Sequence, residues 1–169
     1  KLGLALPLRE LPSSTVKGSL ALAGNDLRLS PDTPLLAGTK ARIDFTQKGL
    51  SVSAASAKLL GGDASFDGST QPDGSLRFSG QGLVSAEGLR RATELGALSR
   101  LASHLSGQAS YRASLGFVRG QPEVSITSTL VGLASDLPAP LRKAADTPLP
   151  MRFQSALAAE TAPGAAPRD

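Results

Sequence analysis

Apolar side chains recur at every second position from about Val16 to Leu157, and that rhythm commits most of the chain to β-strands. In Gln108–Val118 (QASYRASLGFV), Ala109, Tyr111, Ala113, Leu115 and Phe117 alternate with Ser110, Arg112, Ser114 and Gly116. Successive strand side chains point to opposite faces, so this spacing writes one apolar face and one face of small, polar residues. The sequence holds 18 Gly and 12 Pro, no Trp, and only 4% aromatics, so turns are many and the apolar face is built mostly from aliphatic and small residues.

Strands are predicted at Val16–Ala23, with a short continuation Asp26–Ser30 after a Gly24-Asn25 turn, and at Lys40–Gln47. Two more, Leu50–Ala57 and Leu59–Asp67, hinge at Gly61-Gly62. Gln71-Pro72-Asp73-Gly74 is a turn, because Pro presets φ and Gly supplies a positive one. It joins Ala64–Ser69 to Ser75–Gln81 as a hairpin. The period then changes. In Ser85–Leu105 the apolar positions Leu89, Ala92, Leu95, Leu98, Leu101, Ala102 and Leu105 are spaced by three and four, which is helical. Ser85 is the expected N-cap with Glu87 in the first turn, Gly96 splits the segment, and Gly107 ends it. Strand patterning resumes at Gln108–Arg119, Glu123–Val131 and Leu149–Ala159, with a loop at Gly132–Pro148 holding one helical turn near Leu141–Ala145.

The predicted fold class is mainly β (α+β): a curved, antiparallel-rich sheet, groove-like or partly rolled, with a helical insertion near residues 86–105 covering one end or face. Residues 1–15 read as a lead-in, 16–159 as a single β-rich domain, and 160–169 as a disordered tail (TAPGAAPRD at its end). The chain opens at Lys1 without Met and closes on that tail, so the expectation is a piece of a longer protein with any membrane anchor outside it.

Side chains suited to catalysis are scarce. The net charge is +4, but Arg28, Arg42, Arg77, Arg112, Arg119 and Arg152 are scattered singly over different strands and no basic run is interleaved with aromatics, so no nucleic-acid partner is expected. A weak preference for anionic lipid headgroups is compatible with that charge. With no Cys there is no disulfide framework and no thiolate metal site. The only histidine, His104, falls on the helical side away from Leu98, Leu101 and Leu105 and suits a solvent-facing or helix-end role; no triad accompanies it. Gly80-Gln81-Gly82 lacks the third glycine of a phosphate loop, and Asp63, Asp67 and Asp73 do not match calcium-loop spacing. Glu87 and Glu94 read as surface partners of Arg90 and Arg91. No enzyme activity, cofactor or metal is expected.

What remains is the apolar face: Leu20, Leu22, Ile43, Phe45, Val52, Leu59, Phe66, Leu76, Phe78, Tyr111, Leu115, Phe117, Val124, Ile126, Leu130, Met151, Phe153 and Leu157. It is either an ordinary core, sealed by the helices and by the sheet folding on itself, or a concave face open to apolar ligands. Residue chemistry alone leans to the sealed core.

One resemblance shifts that balance. Gly132–Phe153 (GLASDLPAPLRKAADTPLPMRF) resembles a recurrent segment of the very large AsmA-like proteins of the YhdP branch in Gram-negative bacteria. The likeness is strongest in the SDLPAPL string at Ser135–Leu141 and the Pro-Leu-Pro at 148–150. Val16–Leu29 (VKGSLALAGNDLRL) and Leu35–Gly68 fit the same pattern, so it spans roughly residues 5–158. The resemblance implies an inner-membrane anchor outside this segment and a long periplasmic body. That body would be an elongated β-sheet groove with an apolar interior, moving phospholipid toward the outer membrane and maintaining its barrier. Its partners would be phospholipid or another acyl-chain lipid and neighbouring segments of the same chain. The alternative is a non-catalytic periplasmic scaffold that binds a partner in envelope assembly through its sheet edges or the Pro138–Pro148 loop.

Overall fold

The computed structural model describes residues 2–5, 15–28, 31, 33–118 and 121–156. Among these residues ten strands form: β1 (Leu2–Ala5), β2 (Thr15–Leu27), β3 (Leu36–Thr46), β4 (Gly49–Leu59), β5 (Gly62–Thr70), β6 (Leu76–Ser85), β7 (Leu105–Val118), β8 (Gln121–Ser128), β9 (Leu133–Ser135) and β10 (Met151–Ala156). Nine of them make one open antiparallel sheet in the order β1-β2-β3-β4-β5-β6-β7-β8-β10, with β9 pairing β7 off that path. The edges β1 and β10 do not pair with each other, so the sheet is not closed into a barrel. Leu2–Ala5, within the expected lead-in, is thus an edge strand, while Leu157 and the tail lie outside the described residues.

Tight turns keep the sheet in chain order. Leu60 (φ 52°) and Gly61 (φ 80°) both take left-handed backbone between β4 and β5, the two-residue hairpin that matches strand twist. The Gln71–Gly74 turn forms as expected, and Asp73 Oδ1 accepts from the Ser75 hydroxyl at 2.6 Å and the Ser75 N–H at 2.9 Å. Those two donors, the hydroxyl first, hold the Asp73 carboxyl below the usual carboxylate range. A depressed folded-state value means this contact supports the hairpin at neutral pH and is lost as pH falls below about 4. Gly24-Asn25 is not a turn: β2 runs through it, and a register shift between Ala23 and Asn25 absorbs the extra residue.

Ser85 caps α1 (Ala86–Arg91), its Oγ accepting from the Gly88 N–H at 3.0 Å. Gly96 (φ 58°) separates a 3-10 turn, Thr93–Leu95, from α2 (Ala97–Leu101). The helical segment stops at His104 and not at Gly107, which lies inside β7 with φ 89°. Arg91 pairs with Glu87 as expected, whereas Arg90 donates to the carbonyls of Ala102 (3.1 Å) and Leu105 (3.0 Å) and ties the segment's two ends together.

Two features differ from expectation after β8. No helical turn forms at Leu141–Ala145. Instead Lys143 and Ser135 exchange backbone hydrogen bonds at 3.0 Å in both directions, extending the small β7–β9 pairing. His104, exposed, places Nδ1 3.0 Å from Asp136 Oδ1, while its carbonyl accepts the Asp136 N–H at 3.1 Å. Ala86, Ala109 and Leu133 form a buried cluster here, joined by Leu105 and Leu130. The helices therefore pack at one end of the sheet, and among the described residues no other helix lies over its faces. Among the described residues, no helix is long and apolar enough to cross a membrane.

Candidate functional site

Directly paired residues on adjacent strands share a face, so the register shows where each candidate lies. One row runs Leu20, Ile43, Val52, Gly68, Phe78, Leu115, Val124, Ser155, crossing eight strands without a break. A parallel row runs Ala55, Phe66, Gly80, Ala113, Ile126, Phe153. Leu22 joins this face opposite Ala41, Phe45 opposite Gly18 and Leu50, Leu76 opposite Phe117, Tyr111 opposite Gly82, and Met151 opposite Ser128. Leu59, opposite Gly62, has the wrong parity for Val52. The extra residue Ala54 (φ 51°), a bulge between Val52 and Ala55, returns it to the same side.

Two candidates lie elsewhere. Leu130 packs into the end cluster with Ala109 and Leu133, and Leu157 is outside the described residues. The sequence reading omitted Leu50, Ala41, Ala55, Ala57 and Ala64, which sit on the apolar face between the larger side chains.

No Lys, Arg, Asp or Glu stands on this face among the described residues, and Tyr111 is its only titratable group. Burial pushes the Tyr111 hydroxyl above its ordinary range. Among the described residues no second layer is packed over the face: its strands contact chiefly their sheet neighbours, and α1 contacts the sheet mainly through β6 and β7 at one end. Leu20 and Phe153 remain about half exposed, at 52% and 51%.

Three of the aromatic rings are laid down on glycines. A Cβ at Gly18 would overlap the Phe45 ring, one at Gly68 the Phe78 ring, and one at Gly82 the Tyr111 ring. Each ring covers the strand preceding its own, so it lies over the sheet and does not stand up to interlock with an opposing layer. The outcome is a smooth apolar pavement. Truncating a ring inside a sealed core costs about 3–5 kcal/mol. Phe78 is packed from one side only, so Phe78→Ala is expected to cost about 1.5 kcal/mol in a denaturant titration. A loss of about 3 kcal/mol or more would mean a covered face.

The opposite face carries a furrow of about 960 Å³ running across the strands. One wall is Ser56, Ser65, Gln81, Arg112, Thr127 and Arg152, each the register partner of the next. The other is Asp63, Leu83, Ser110, Thr129 and Pro150, and Ala64, Gly82, Tyr111, Ser128 and Met151, in the row between the two, complete the lining. Alternation alone read Arg112 and Arg152 as separate solvated charges, because only the register brings them into one row.

No curated protein and no solved structure matches the chain significantly. The family comparison covers nearly all of it and agrees with the likeness read around Ser135–Leu141: the chain belongs to the YhdP protein family, whose model matches residues 1–163.

Proposed function

We propose that this chain is a length of lipid-bearing floor in an inner-membrane-anchored periplasmic protein of the AsmA-like type. Its work is phospholipid transport between the inner and outer membranes and upkeep of the outer-membrane barrier. The observation that supports this reading is the apolar face, continuous across the sheet, free of charges and of a covering layer among the described residues, with three of its rings laid on glycines. Burial of acyl chains is worth roughly 0.8 kcal/mol per CH2 and is non-directional. A smooth floor without polar anchors therefore holds a chain while letting it slide. Neighbouring segments of the same long chain would extend the floor beyond β1 and β10.

Photocrosslinking side chains placed at Phe45, Phe78 and Phe117 test this in cells, with Ser53, Ser79 and Ser114 on the other face as controls. Lipid adducts are expected at the three ring positions and not at the serines. Absence of lipid at all six positions, with protein adducts at the rings, would replace this reading with a scaffold whose apolar face binds a polypeptide partner.

A further inference from the structure

We propose that the furrow on the polar face is a phosphate site, gripped by Arg112 and Arg152 on either side of Thr127. These three residues are successive register partners on β7, β8 and β10, and all line the furrow. Neighbouring strands lie about 4.8 Å apart, so the two arginine backbones are about 10 Å apart. Two extended guanidinium side chains span that gap over one tetrahedral oxyanion, with the Thr127 hydroxyl between them. The whole row from Ser56 to Arg152 lines one depression.

Charge points the same way. Arg42, Lys58 and Arg91 are each paired with a carboxylate, whereas Arg112 and Arg152 have no hydrogen-bond or ion-pair partner among the described residues. The one carboxylate lining the furrow, Asp63, is 3.4 Å from the Lys58 ammonium. Two unopposed guanidinium forks suit a phosphate, with its several oxygens and up to two charges, better than a single carboxylate. Leu83, 38% exposed, and Pro150 on the facing wall offer apolar contact beside it, which favours an organic phosphate. By register, the Arg112, Thr127 and Arg152 side chains have the parity opposite to Phe78 and Leu115, so these three can be substituted without changing a ring of the pavement.

The phosphate can come from a soluble monoester or from a lipid headgroup. Calorimetric titration of the whole chain with glycerol 3-phosphate and with dihexanoyl phosphatidic acid separates these sources. Binding of both marks the phosphate itself as the recognised group, and binding of the lipid alone marks a headgroup site. In either case the Arg112→Gln/Arg152→Gln double variant is expected to bind at least about 10-fold more weakly with an unchanged melting temperature. Arg77→Gln, on the same face but outside the furrow, is expected to leave binding intact. No binding of either probe, or equal weakening by Arg77→Gln, overturns the proposal.

Discussion

Replacing Gly88 with valine is expected to lower the unfolding free energy by about 3 kcal/mol, the upper part of the range for overpacking a close contact. Gly88 lies in the first turn of α1, against the turn between β4 and β5. A Cβ there would fall inside the Leu60 carbonyl and too close to the Gly61 nitrogen. Both obstacles are backbone and cannot swing away. The same Leu60 carbonyl accepts the Ser85 N–H at 3.1 Å, so the turn, the cap and the helix are locked into one contact. The added side chain must lift α1 and expose Ala86 and Leu89, now 2% and 7% accessible. Gly74→Ala is the comparison. Gly74 has φ 81° but open space around it, and alanine there should cost about 1 kcal/mol from backbone strain alone. Equal losses for the two variants in urea titrations would mean that α1 is not seated on the hairpin.

The second large effect is expected at Lys143. Its ammonium donates to the carbonyls of Leu130 (2.9 Å), Leu133 and Ala144 (3.0 Å), filling with one cation a pocket of three backbone acceptors. Lys143→Met keeps the stem and removes every donor. The cost is expected to be about 2 kcal/mol, because charge-assisted bonds are lost while the half-buried position lets water replace part of them. Hydrogen exchange localises the damage. The Gly132 N–H, bonded to the Ala145 carbonyl at 2.7 Å, and the Ser135 N–H, bonded to the Lys143 carbonyl at 3.0 Å, should lose protection while β4–β6 keep theirs. Protection unchanged at those two amides would show that the backbone bonds hold the segment without the ammonium.

Much of the sheet was legible because a half-buried strand repeats every two residues, and Gln108–Val118 shows that repeat without interruption. The cap at Ser85 and the break at Gly96 were legible for equally local reasons, a side chain reaching its own helix and a backbone at positive φ. Errors arose where one backbone conformation serves two contexts. Gly24-Asn25 and Gly107 carry turn-type residues, yet the neighbouring strands hold both segments in the ladder, so a bulge and a strand replace a turn and a helix end. Leu141–Ala145 lost its helical turn to the bonds between Lys143 and Ser135, a pairing between segments that no local pattern announces.

The candidate face was legible residue by residue, but its finish was not. That Val52 and Leu59 share a side depends on the bulge at Ala54, and the pavement depends on which glycine each ring happens to cross. Both are matters of register between strands. The furrow on the other side was hidden for the same reason: Arg112 and Arg152 are forty positions apart in the sequence and two strands apart in space.

Sheet order that follows chain order also sets how such a body can change in length. Each long strand needs only the one made just before it, so pairing proceeds from one margin as the polypeptide emerges, without waiting for a distant segment. Removing or duplicating one hairpin would preserve strand direction and the side on which rings and charges fall, and would shift the width by about 10 Å. Removing a single strand would reverse every strand after it. The body can therefore be lengthened or shortened in two-strand steps while the same surface is kept on each side.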